Sequence, residues 1–167
     1  MRKRLRQEIK QRQPFASLEQ EVFLNVLHTA DALGQAMEQM LRRAGLSHTQ
    51  YNVLRILRGA GDAGLSCRAI AARMLTHDPD ITRLLDRLER HGLVTRRREQ
   101  SDRRVVTAHI TGAALSLLQN LDAPVAALHR RLLGHLGPER LAALAEMLEQ
   151  ARAVPAPERE PEVVSGE

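Results

Sequence analysis

Residues 81–104 run ITRLLDRLERHGLVTRRREQSDRR, and within them a helical period gives way to a strand period. Ile81, Leu84, Leu85 and Leu88 recur at helical spacing and form one apolar side. Thr82, Arg83, Asp86, Arg87 and Arg90 point the other way, together with Pro79 just upstream. Asp78 reads as the N-cap and Pro79 as the first helical residue, where a missing N–H costs nothing. Gly92 ends the helix. Leu93–Arg98 then reads as a strand, residues 99–102 as a turn, and Val105–Ile110 as the returning strand. On that strand Val105, Thr107 and His109 share one face, and Val106, Ala108 and Ile110 the other.

Immediately upstream, Ser66 caps a helix from Cys67 to about Met74, with Ile70 and Met74 inward. Two helices joined by a short break and followed by a basic hairpin make a winged helix-turn-helix, whose second helix enters the major groove. Thr82 and Arg83 lie near the N-terminal end, which reaches base edges. Arginine bonds guanine in a bidentate fashion, and the threonine methyl touches thymine. Arg87 and Arg90 lie further along and suit phosphate contacts. At the hairpin tip, Asp102-Arg103-Arg104 can place a guanidinium in a narrow minor groove, braced by the aspartate. A plainer reading of the same residues is a solvated helix face, with Arg83–Asp86 and Arg87–His91 as neighbours, beside an ordinary turn.

Further outward the chain is helical. Ser17 caps a helix with Gln20 three residues on, and apolar residues from Leu18 to Leu41 sustain helical spacing to about Ala44, where Gly45 stops it. Those positions cover roughly half the circumference, wider than a stripe facing one core. Ser47 caps a second helix marked by Tyr51, Val53, Leu54 and Leu57, ending at Gly59. Gly59–Gly64 matches GxGxxG, but a helix precedes it and no parallel-strand pattern surrounds it, so it reads as a turn rather than a dinucleotide site. Thr111 caps a long helix whose stripe of Leu117, Leu118, Leu121, Val125, Leu128 and Leu132 keeps its phase through Pro124, which predicts a kink without a break. Pro138 opens a last helix that ends near Arg152.

The fold class is therefore mainly α with a small β-hairpin wing. Residues 1–16 form a basic arm and residues 153–167 an acidic, proline-containing tail, both expected to be disordered. Residues 17–152 form the domain: 47–110 is the winged helix-turn-helix, and 17–45 with 112–152 supply dimerisation helices. The helical apolar surface exceeds what a small wing domain covers, and a second copy would bury it. A two-fold dimer sets two recognition helices about 34 Å apart and predicts a palindromic site.

Composition narrows the function. With 167 residues the chain is one domain in size, and 25 Lys+Arg against 20 Asp+Glu give +5. Arginine outnumbers lysine 23 to 2, a bias that genome base composition also produces, so the placement of charge matters more. Residues 66–110 hold ten arginines and six acids, while the remainder of the body is near neutral. A concentrated positive segment is what an anion-binding surface requires. Three aromatic rings are too few for stacking single strands. One cysteine excludes an internal disulfide and fits a reducing compartment. The longest uncharged run, Val105–Leu121, is too polar to span a membrane, and no secretory signal follows the basic start, so a cytoplasmic location is expected.

Other candidate chemistries are set aside. No GxSxG, P-loop or HExxH is present, so neither an enzyme nor a cofactor is expected. His77, Asp78 and Asp80 have metal-ligand chemistry, but capping explains the aspartates, and no metal is expected. Cys67 has no resolving partner in the sequence and reads as an inert thiol. His129 and His135 are out of step for one helix face, and His28 lies outside the apolar stripe. The basic N-terminus suits a minor-groove arm, a solvated tail or an anionic lipid surface.

Taken together, Leu65–Met74 (LSCRAIAARM), Ile81–Leu93, Ser101–Arg104 and Ile110-Thr111 resemble the multiple-antibiotic-resistance-regulator (MarR) family over roughly residues 17–152. The resemblance implies a homodimeric regulator of transcription that binds double-stranded DNA, usually a repressor released by a small molecule. It also implies that Asp102 supports Arg104 in the minor groove. The expected DNA-binding set is Pro79, Thr82, Arg83, Arg87, Arg90, Asp102, Arg103 and Arg104, with the effector and its pocket unassigned. The family often places glycine three residues after the threonine that closes the hairpin. Here Gly112 follows Thr111 at once, which leaves the start of the next helix open. The alternative function is a winged-helix module that binds protein without specific DNA recognition.

Overall fold

The computed structural model of the chain describes residues 4–75, 80–98 and 106–153. It divides into two compact units, Met1–Ala126 and Ala127–Glu167.

In the first unit, α1 (Arg4–Glu8) precedes the long α2 (Leu18–Arg42) and α3 (His48–Ala60). Ser17 caps α2 by accepting from the Gln20 amide, while the Gln20 side chain accepts from the Ala16 amide at 2.7 Å. Ser47 and Gln50 satisfy one another's backbone donors in a full capping box at α3. Next come β1 (Leu65–Ser66), α4 (Cys67–Ala71), α5 (Ile81–Arg90), β2 (Val94–Arg98), β3 (Val106–Ile110) and α6 (Gly112–Leu133). Leu41, Val53, Leu54, Leu57, Ile70, Leu85, Leu88, Val94 and Leu118 are fully buried and form the core. α5 packs its apolar side against α3, α4 and β2, which leaves its polar side outward.

The sheet is antiparallel with strand order β1-β3-β2, and Leu65 and Ser66 pair with Ala108 and Thr107. The expected hairpin is therefore three-stranded. A two-residue strand is too short to show a period of two, which is why the sequence concealed it. On the central strand β3, successive residues Thr107 and Ala108 are both buried although they point to opposite faces. Thr107 Oγ1 bonds the Arg97 carbonyl at 3.3 Å and lies 3.0 Å from His109 Nε2, while His109 Nδ1 reaches the Asp62 carbonyl at 3.2 Å.

Several expected boundaries shift. α4 ends at Ala71 rather than Met74, and α3 runs on to Ala60. Asp78 and Pro79, expected as cap and first residue of the next helix, lie outside the described residues. Asp80 is the N-cap of α5, its side chain accepting from the Arg83 amide at 3.1 Å, and Ile81 is the first helical residue. The aspartate at this position bonds the amide three residues on, and Ile81 is buried as its spacing predicts. Residues 4–8, expected to be disordered, are helical: Leu5 is only 5% exposed, and Glu8 lies 3.5 Å from His28 of α2. One buried leucine gives the segment something to order against. Thr111 caps α6 as expected, accepting from the Ala114 amide at 3.2 Å, so the early Gly112 is simply the first helical residue. α6 continues unbroken through Pro124.

The division between units falls within α6. In the second unit a 3-10 turn at Gly134–Leu136 packs on α7 (Pro138–Arg152), with Pro138 in its first turn. Leu141, Leu144 and Leu148 are half-buried there and Met147 is exposed.

Candidate nucleic-acid interface

The polar side of α5 is assembled by its own periodicity. With Ile81, Leu85 and Leu88 buried, Thr82, Arg83, Arg87 and Arg90 are left exposed along the opposite side. The Arg83 side chain is 79% exposed, yet its Nε lies 3.1 Å from Asp80 Oδ2. Asp80 thus both caps the helix and pairs with the arginine at its N-terminal end. Arg90 Nε donates to the Asp86 carbonyl at 3.3 Å, within its own helix. The structure brings Thr82, Arg83, Arg87 and Arg90 onto one surface. Pro79, Asp102, Arg103 and Arg104 lie outside the described residues.

The helix stop fixes where the wing begins. Gly92 adopts φ 69°, and the amides of Gly92 and Leu93 bond the carbonyls of Glu89 and Leu88. Thr111 Oγ1 donates to the Gly92 carbonyl at 2.8 Å, joining the end of α5 to the start of α6. From Gly92 the chain enters β2, where Arg97 and Arg98 are exposed.

Arg96 behaves differently from its basic neighbours. Its backbone amide donates to Glu89 Oε1 at 3.1 Å and Nε to Glu89 Oε2 at 2.9 Å. Its Nη2 donates to both Asp86 Oδ1 and Glu89 Oε2 at 2.6 Å. Hydrogen bonding from Arg96 holds the Glu89 carboxyl below its ordinary range, and the two carboxylates hold the Arg96 guanidinium above its own. Sequence reasoning placed Asp86 on the outward face beside Arg83, but it turns instead to the wing strand. The sequence carries only the separate parts: Asp86 and Glu89 are three apart on one helix side, and Arg96 alternates out of phase with Thr95 and Arg97.

Away from this surface, Arg58 of α3 forms a bidentate pair with Asp122 of α6 at 3.0 Å, an inter-helix tie. No group of three or more potential metal ligands occurs among the described residues. Cys67 is half-buried. A cavity of about 390 Å³ is lined by Arg6, Gln7, Lys10 and Gln11, and one of about 40 Å³ by His48, Thr49, Asn52, Met74 and Leu75.

Known proteins share this arrangement. The model of the MarR family matches residues 46–106, which runs from the start of α3 through the wing to the first residue of β3. The transcriptional repressor YetL of Bacillus subtilis is 33% identical over 91 residues, 54% of either chain, so the present chain spans about half the length of that relative. A MarR transcription factor from Planctomyces limnophilus is 41% identical, with a TM-score of 0.63 over 82% of this chain and 99% of that one. CouR from Rhodococcus jostii RHA1, solved with p-coumaroyl-CoA, is 28% identical, with a TM-score of 0.68 over 85% of this chain and 98% of that one. A helix with an exposed arginine face, a wing built on the adjoining strands, and a 41% identical relative of nearly full overlap together place this chain in the MarR family of transcriptional regulators.

Proposed function

We propose that the chain acts as a homodimeric, ligand-responsive repressor that recognises a palindromic site in double-stranded DNA. The observation that carries the reading is the exposed Thr82–Arg83–Arg87–Arg90 face of α5, set beside the basic wing strand β2. In this role Thr82 and Arg83 read base edges, Arg87 and Arg90 meet phosphates, and Arg103 and Arg104, braced by Asp102, enter the minor groove from the wing tip. Pro79 flanks the reading end of the helix. Dimerisation is supported by Leu18, Val22, Phe23, Val26 and Leu27 of α2, which are 42–63% exposed in the single chain. A site of action on chromosomal DNA implies the cytoplasm, and no helix among the described residues is long and apolar enough to cross a membrane. Release by a small molecule is supported by CouR and its acyl-CoA ligand; it works only through differential affinity for the DNA-competent and DNA-incompetent forms.

Selection of bound duplexes from a random pool, followed by titration across a salt series, tests the proposal. The selected palindrome should hold a large affinity ratio over random duplex at every salt concentration. Arg83→Ala should cost about 1–3 kcal/mol and blur the base preference, and Arg104→Ala should weaken binding while leaving the dimer intact. Equal affinity for selected and random duplex would instead favour a protein-binding winged helix.

A further inference from the structure

Resting on the reading of α5 and the wing as the DNA-contacting part, we propose that Asp86, Glu89 and Arg96 form a positioning clamp that fixes the wing's angle to the recognition helix. The two elements then meet the duplex as one preorganised body. Arg96 sits at the centre of β2 and receives two carboxylates from successive turns of α5, with backbone as well as side chain engaged. The backbone bond matters because it fixes the strand itself rather than one rotamer. Asp86, Glu89 and Arg96 are 45%, 38% and 28% exposed, so the pairs are too solvated to contribute much to folding. What they can fix is direction.

Charge logic supports this assignment. A surface meant for a polyanion gains nothing from two carboxylates at its edge, and Arg96 is neutralised by them instead of reaching phosphate, as Arg97 and Arg98 remain able to do. The carboxylates work against long-range attraction, and the geometric role accounts for their presence. Loosening the clamp would require wing and helix to be ordered anew at each binding event, which costs affinity. Arg96 is thus a positioning residue.

The test exploits opposite signs. Glu89→Gln, and Asp86→Asn with Glu89→Gln together, each make the protein more positive, so simple electrostatics predicts tighter DNA binding. The clamp predicts weaker binding to the selected palindrome, on the order of tenfold for the double variant. Arg96→Lys keeps the charge but loses the fork, and should weaken binding similarly without lowering the salt slope by the ~0.9 expected when one phosphate contact is lost. The penalty of Arg104→Ala should also shrink in the Asp86→Asn/Glu89→Gln background, because a wing already set loose has less to lose. Thermal melting of each variant confirms that it is folded. Unchanged or tighter binding by the folded carboxamide variants, with full additivity to Arg104→Ala, overturns the clamp while leaving the DNA-binding reading intact. Failure of the wild-type protein to prefer any duplex overturns that reading, and the clamp with it.

Discussion

Gly64 sits at φ 64° directly against the His109 ring. A Cβ built there would lie 2.5 Å from His109 Cε1 and 2.8 Å from the Ala108 carbonyl oxygen. Both the backbone conformation and the space therefore demand glycine. Gly64→Ala should destabilise the protein by at least ~2 kcal/mol, read as a lowered thermal midpoint, whereas Gly59→Ala, with nothing near its Cβ, should not. A Gly64→Ala protein melting with the wild type would show that His109 and β1 yield freely. Capping residues were the most legible single positions in the sequence. Ser17, Ser47, Ser66 and Thr111 all cap as read, since a cap is a contact spanning three residues. At the DPD run of 78–80 the same rule meets two aspartates in competing frames, and Asp80 is the one that caps α5. Gly64 carried no such signal: its constraint comes from a residue 45 positions later in the chain.

Elements were legible in proportion to the length of their period. α2, α5 and α6 repeat their apolar residues over several turns, and α5 exposes the arginine face that its spacing predicts. β1 has two residues, so its pairing with β3 is visible only in three dimensions. The clamp lay equally beyond reach, because it is a relation between elements: Asp86 and Glu89 are legible as a helix pair and Arg96 as a strand position, but not their meeting. The start of α5 gives a prediction at this scale. Asp80 caps the helix and pairs with Arg83 at its N-terminal end. Asp80→Ala should lose both functions, costing about 1 kcal/mol in unfolding free energy, while Asp80→Asn, which still accepts from the Arg83 amide, should cost less. Removing the carboxylate also leaves Arg83 unpaired beside the duplex, so Asp80→Asn should bind DNA at least as tightly as the wild type. Weaker binding by this folded variant would mean that the ion pair orients Arg83 rather than restrains it.

At the scale of the molecule, the strongest unspent driving force is apolar. Leu18, Val22, Phe23, Val26 and Leu27 lie on the N-terminal half of α2 at intervals of about one helical turn, and none is buried within the chain. Only Met37 and Leu41, at the other end of α2, are buried against it. The wide stripe seen in the sequence is thus two stripes end to end: one serves the core and one is open to water. Scattered exposed apolar residues would be ordinary, but five at helical register form a contiguous patch of the kind that marks an interface. If a second copy covers it, Phe23→Glu together with Val26→Glu should convert dimer to monomer by sedimentation at micromolar concentration. DNA affinity should then fall far more than any single contact explains, because each half-site would be bound alone. The substituted residues lie outside the described core, so the winged helix-turn-helix should keep its helical circular dichroism. A double variant that remains dimeric would place the subunit interface elsewhere and leave the α2 patch to a different partner.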